Sequence, residues 1–359
     1  MSENIKLMGT LTTLAPMIHI DSSGKSAAGT VQTYCMKTTM PFRNDTGELE
    51  LRQIPFVQGS SYRGSMRNIM SEILAAAVKN GEDGLDLNTA MRLFSGGRME
   101  AGVAHSLDQA RDILARCIDL NLFGGIDGTM FKSNVSFDML YPIVETTVQA
   151  KIVPSHYADL ATPETAIVGD KVRSMLQQWV KQARRDEVMD ADKDMMVALS
   201  TDGYKEAEAY LLEGIATQEK NADARKSGSK EKSPKTIQKH YAEIEAIPAG
   251  VNLFSSITVK DVDKVTMGLF LKTIQSFLKF PYLASSSRAG YGKVAARYDI
   301  KVGDEVIKDF ITQDEFGDAV LDLKKYGQDC VDAFDAWAGT ATPTTLQVVR
   351  KAPAKTKEA

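Results

Sequence analysis

Three segments with apolar residues at three- and four-residue spacing, each beside a strand-like run, constrain this chain more than any other feature. Residues 61–78 place Met66, Ile69, Met70, Ile73, Leu74 and Ala77 on one helical face. Residues 105–119 do the same with Leu107, Ala110, Ile113, Leu114 and Cys117. Residues 263–279 repeat the pattern with Val265, Leu269, Ile274, Phe277 and Leu278, before Pro281 closes the helix. Ile5-Lys6-Leu7-Met8, Gly29-Thr30-Val31-Gln32-Thr33-Tyr34 and Val294 to Ile300 read as strands. Each helix therefore has a sheet-like neighbour on which to bury its apolar stripe.

With 359 residues, of which 43% are hydrophobic and 25% charged, the chain can close one large core or two modest ones without disulfide or metal staples. The N-terminal MSENIKLMGTLTTLAPM has no basic region followed by a long apolar core, and no later run approaches a membrane span. A soluble, cytoplasmic protein is expected. Cys35, Cys117 and Cys330 are odd in number and far apart without a C-x-x-C pair, so they read as reduced, buried thiols.

The middle of the chain differs in composition. Residues 152–245 are highly charged and are expected to be largely helical, with the mixed-charge run from Lys181 to Asp194 as a solvated helix face. Residues 220–239, which hold Ser227-Gly228-Ser229 and Ser233-Pro234 among lysines, read as a mobile basic loop. The tail after Thr344 is expected to fray.

The 43 Lys and Arg against 47 Asp and Glu give a formal charge of -4, which excludes coating of nucleic acid by bulk charge. A local basic groove stays open, because the charge is segregated. Lys264, Lys272, Lys279, Arg288, Lys293 and Arg297 meet only Asp263 between residues 263 and 297, whereas 304–335 is strongly acidic.

Two glycine-rich runs carry the chemistry. In Gln58-Gly59-Ser60-Ser61-Tyr62-Arg63-Gly64-Ser65-Met66-Arg67, small residues permit close backbone approach and a following helix offers amides. Arg63 and Arg67, four apart on one face, could hold successive phosphates. Spacing alone leaves two readings open: a phosphate seat, or a glycine-shaped helix entry with surface arginines. The run is not a nucleotide-triphosphatase loop. In Ser285-Ser286-Ser287-Arg288-Ala289-Gly290-Tyr291-Gly292-Lys293, two cations flank a tyrosine on which a base could stack, or which could cover the core.

Lys25 and Lys132 are further cations beside glycines, and the turns around Gly96-Gly97 and Gly124-Gly125 could edge a channel. The dispersed His19, His105, His156 and His240 form no metal motif, and no nucleophile elbow is present. His19 and Asp21 read as a surface pair before any acid-base role.

The order of the Pro55 to Arg67 run, Ile247-Pro248-Ala249-Gly250-Val251 and Arg288-Ala289-Gly290-Tyr291-Gly292-Lys293 resembles the backbone subunits of CRISPR effector complexes in the RAMP superfamily, with the type IV backbone protein most similar. The resemblance covers about residues 5–80 and 246–298. It implies an α+β fold: an RRM-like (ferredoxin-like) palm with an antiparallel sheet and an inserted, mainly helical thumb. Residues 1–151 and 246–343 would form the palm, 152–245 the thumb, and 344–359 a flexible tail.

The resemblance also implies a non-catalytic protein that needs no cofactor and no metal. Its partners would be the CRISPR guide RNA, a target nucleic acid, DNA first, further copies of itself, and other effector subunits including a guide 5′-end cap protein and a large subunit. Gln58, Gly59, Ser60, Ser61, Arg63 and Arg67 would seat RNA, with Arg288, Tyr291 and Lys293 lining another part of the groove and Lys25 and Lys132 beside them. Type III relatives cut target RNA with a loop aspartate, for which Asp21 is the candidate here. A protein whose glycine turns make only subunit contacts is the third option.

Overall fold

The computed structural model describes residues 3–21, 26–27, 30–78, 85–98, 105–127, 129–168, 171–184, 240–284, 289–314 and 317–348. Its strands are β1 Glu3–Thr13, β2 Ser26–Ala27, β3 Thr30–Thr33, β4 Lys37–Arg43, β5 Leu49–Pro55, β6 Gly97–Arg98, β7 Gly125–Asp127, β8 Thr129–Phe131 and β9 Val135–Phe137. They continue with β10 Tyr141–Pro142, β11 Thr165–Val168, β12 Lys171–Ser174, β13 Gln178–Arg184, β14 His240–Ala246, β15 Asn252–Val262, β16 Val294–Val302, β17 Glu305–Gln313 and β18 Ala319–Leu321. The helices are α1 Gly59–Val78, α2 Leu87–Ser95, α3 Leu107–Arg116, α4 Ile118–Phe123, α5 Glu145–Gln149, α6 Lys264–Lys279 and α7 Gln328–Ala338.

The chain divides into two compact units, residues 1–24, 34–180 and 244–359 in one and 25–33 with 181–243 in the other. In the second, β2 pairs antiparallel with β3, Ser26 opposite Val31. The first is built on a seven-stranded sheet in the order β10-β15-β1-β16-β17-β18, with β9 also on β15. Because β1 runs antiparallel to both β15 and β16, the β15-α6-β16 crossover straddles β1. Likewise β9 is antiparallel to β15, so β1-α1-β9 straddles β15. Two interlocked split β-α-β units give the strand order of a ferredoxin-like fold.

Alternation sets the two sheet faces. Ile5, Leu7 and Leu11 of β1, Leu253, Ile257 and Val259 of β15, and Ala296, Tyr298 and Ile300 of β16 all lie in the core. Tyr62, Met66, Met70 and Leu74 of α1 and Met267, Phe270, Ile274 and Phe277 of α6 complete that core. Their spacing is the periodicity seen in the sequence. Asp263 caps α6, accepting from the Thr266 amide at 2.7 Å.

Several expectations are corrected. Of residues 152–245, those described outside the loops form a 3-10 turn at Ser155–Leu160 and strands β11 to β14, where helix was expected. β-branched Ile167, Val168 and Val172 favour that strand pairing. The remainder of the expected thumb, most of the 181–194 run and the 220–239 loop lie outside the described residues. The 105–119 helix breaks at Cys117, whose amide closes α3 on Ile113 at 2.7 Å before α4 begins.

The chain beyond Thr344 is also anchored where fraying was expected. Residues Pro343–Leu346 form a 3-10 turn and Leu346 is fully buried, while residues 349–359 lie outside the described set. Nor does 263–297 remain a free basic stripe, because the neighbouring acidic helix neutralises part of it. Lys272 pairs with Asp335 at 2.8 Å, and Lys264 pairs with Asp329.

Cys35, Cys117 and Cys330 are buried and are not joined in disulfides. Burial pushes the Cys35 thiol up to about 11 and the Cys117 thiol up to about 12, which leaves both protonated at neutral pH. Iodoacetamide is expected to leave the native protein unmodified and to alkylate all of these thiols in denaturant. Rapid mass gain by the native protein would show that this core is open.

Candidate nucleic-acid interface

The entrance of α1 is assembled from the sequence upward. Gly59 begins the helix against β9, where a Cβ would overlap the Phe137 carbonyl oxygen. Its lack of a side chain therefore serves packing on protein, where the sequence suggested approach to a ligand. Ser60 is exposed, its hydroxyl 3.3 Å from the Gln58 Oε1 atom, and Ser61 is half-buried. The Ser61 amide already donates to the Gln58 carbonyl at 3.0 Å. The amides of buried Gly59 and exposed Ser60 have no acceptor among the described residues.

Arg63 and Arg67 are half-buried and do share a face. Both donate through Nη2 to the Phe123 carbonyl at the end of α4, Arg67 at 2.8 Å, and Arg67 also reaches the Gly124 carbonyl at 3.1 Å. They thus satisfy the open carbonyls of a helix C-terminus, where cations are favoured. Burial lowers the pKa of both guanidinium groups, and for Arg67 the adjacent Arg63 charge adds to the effect. Neither has a carboxylate within ion-pair distance among the described residues. The Arg63 Nε atom is buried without a partner.

The glycine turns that looked separate in sequence meet here. β6 pairs in parallel with β7, Gly97 opposite Ile126. The Arg67 guanidinium lies against Gly96, whose φ of 80° excludes most side chains. Gly124 packs on the backbone of residues 131–133, with the Ser133 amide 2.7 Å from where its Cβ would sit. Lys132 is exposed, and its backbone carbonyl carbon lies 2.9 Å from that same Cβ position.

The second glycine-rich run folds onto a different part of the same unit. The Gly292 amide donates to the Pro16 carbonyl at 2.9 Å, and the Lys293 carbonyl accepts from the Leu14 amide at 2.8 Å. Gly292 has φ of 76°, and a Cβ there would overlap the Leu283 carbonyl. Lys293 is exposed and Tyr291 half-buried. Arg288 and Lys25 lie outside the described residues.

His19 is buried, contrary to a surface pair, and its Nε2 accepts the Gln58 amide at 3.1 Å. Asp21 is half-buried, its amide donating to the Tyr34 carbonyl at 2.9 Å. Among the described residues no group of three or more His, Cys, Asp or Glu is placed to hold a metal ion, and no helix is long and apolar enough to cross a membrane.

Sequence inspection missed the cluster that fixes the floor of this region. Arg92 of α2 is buried, with Nε 2.9 Å from Asp119 Oδ2 and Nη1 3.6 Å from Asp127 Oδ2. Its Nη2 also donates to the Leu346 carbonyl at 2.6 Å. Burial alone would lower its pKa, but the carboxylates outweigh burial and raise it. The one local signal was an arginine adjoining buried Leu93 within a short helix.

No family model matches the chain, and no curated protein matches it. Among solved structures, it is similar to a chain of a Type IV-B CRISPR complex, at 14% identity and TM-score 0.45 over 82% of this chain and 90% of that one. It is also similar to Csc2 of Thermofilum pendens, at 10% identity and TM-score 0.34 over 84% of this chain and 68% of that one.

Proposed function

We propose that this chain is a non-catalytic RNA-binding subunit of an RNA-guided interference complex. Several copies line up along a guide RNA and hold its backbone, leaving the bases to pair with a target DNA. Arg63, Arg67 and Lys132 neutralise phosphates around Gly124, the Gly59 and Ser60 amides and the Ser60 and Ser61 hydroxyls cap others, and Tyr291 and Lys293 extend the track.

The observation that carries this function is Gly64. It lies in the second turn of a 20-residue helix, exposed, and nothing lies within 4 Å of where its Cβ would be. A glycine inside a helix costs about 0.5–1 kcal/mol relative to alanine. No neighbour among the described residues requires that cost. Gly64 falls between two arginines that have no carboxylate partner among the described residues and on the face of Ser60 and Asn68, where a ribose-phosphate backbone could lie directly on the helix.

Gly64→Ala is therefore expected to leave folding intact or raise stability by about 0.5–1 kcal/mol. The added methyl is expected to weaken binding of a labelled single-stranded RNA about tenfold or more. The supporting measurement pairs a denaturation midpoint with fluorescence anisotropy. Unchanged RNA affinity in Gly64→Ala, or wild-type protein that retains no RNA when produced with a guide, would refute this function.

A further inference from the structure

The residue just before α1 is held by an imidazole that can act only in one protonation state. The Gln58 amide is a donor without a lone pair, so the His19 Nε2 atom 3.1 Å away must accept. His19 is then neutral, with its proton on Nδ1. Protonation would set one donor against another and add a positive charge at the positive end of a 20-residue helix. At 7% exposure, water cannot take over the broken bond without the segment moving.

The surroundings offer an imidazolium little support. On its own segment the nearest titratable group is Asp21, whose backbone is tied to Tyr34. The facing segment brings Tyr34, the Cys35 thiol and Lys37. From β14 comes Glu245, engaged by the Lys37 Nζ atom at 2.7 Å and the Cys35 amide at 3.0 Å. On the α1 side Arg63 is the first charged residue. Burial lowers the His19 pKa, and it is the only cause of that shift.

The same short stretch links both glycine-rich runs. Leu14 and Pro16 bond to Lys293 and Gly292, and three residues later His19 bonds to Gln58. Displacing His19 would disturb both parts of the proposed track. We infer that neutral His19 is a positioning residue that locks the α1 entrance, and that its protonation releases the entrance and weakens RNA binding. This rests on the RNA-binding function proposed above. Its sign is opposite to simple electrostatics, because protonation of surface histidines would tighten binding to a polyanion.

The test is anisotropy with a labelled single-stranded oligoribonucleotide from about pH 8 to about pH 5, the span in which an imidazole titrates. In wild type the apparent Kd is expected to rise about tenfold per pH unit once pH falls below the His19 pKa. His19→Gln places an amide oxygen near the Nε2 position and is expected to give a flat or slightly tightening profile. In parallel, the Gln58 amide resonance of wild-type protein is expected to titrate with the binding midpoint, a readout that does not depend on how the variant folds. Superimposed wild-type and His19→Gln profiles, or a Gln58 amide that does not titrate, would overturn the inference alone. Absence of RNA binding by wild type at every pH would instead remove the function on which it rests.

Discussion

Replacing Arg92 by Met is expected to destabilise the protein by about 3–5 kcal/mol, among the larger losses a single substitution produces. Asp119 and Asp127 are both buried, and each lies against the same guanidinium, at 2.9 Å and 3.6 Å. Removing the cation leaves two carboxylates in a site that water does not reach, beside a Leu346 carbonyl that also loses its donor. The effect reaches α4, whose Phe123 carbonyl carries Arg63 and Arg67. A denaturant titration gives the stability, and Asp119→Asn with Asp127→Asn in the Arg92→Met background is expected to recover part of the loss. Wild-type stability in Arg92→Met would mean that these charges are not buried together.

The contrast between this cluster and α1 shows what a sequence discloses. β1, α1, α6 and β16 were legible because apolar residues recur at the period of the element and its partners follow from that period. The bond partners of Arg92 lie 27 and 254 positions away, and one is a backbone carbonyl that carries no residue identity. The same limit applies to Arg63 and Arg67. Their shared face followed from a spacing of four, but their acceptors, at Phe123 and Gly124, are fixed by how α4 packs. Charge segregation misled in a third way. Lys264 and Lys272 looked available to a polyanion until α7 packed on α6 and supplied Asp329 and Asp335. Short strands such as β11 and β12 hold too few residues for alternation to outvote a charged, helix-like composition.

Gly59→Ala is expected to cost about 3 kcal/mol, the upper part of the range for forcing extra volume into a filled site. The new methyl would overlap the Phe137 carbonyl oxygen and come within 2.9 Å of the Asp138 carbonyl oxygen. Neither obstacle is a side chain that can turn away. Relief requires α1 to lift from β9, which also disturbs the tilted contact of Tyr62 with Phe137, 5.0 Å between ring centroids. The loss is to be read from the denaturant midpoint, and wild-type stability would show that α1 does not press on β9 there. Set beside Gly64→Ala, five positions along the same helix, this substitution separates two uses of glycine. Gly59 is required by the fold, so its loss should appear in stability and reach RNA affinity only through a displaced helix entrance. Gly64 is required by nothing in the described protein, so a loss of affinity at full stability there can be assigned to a bound backbone.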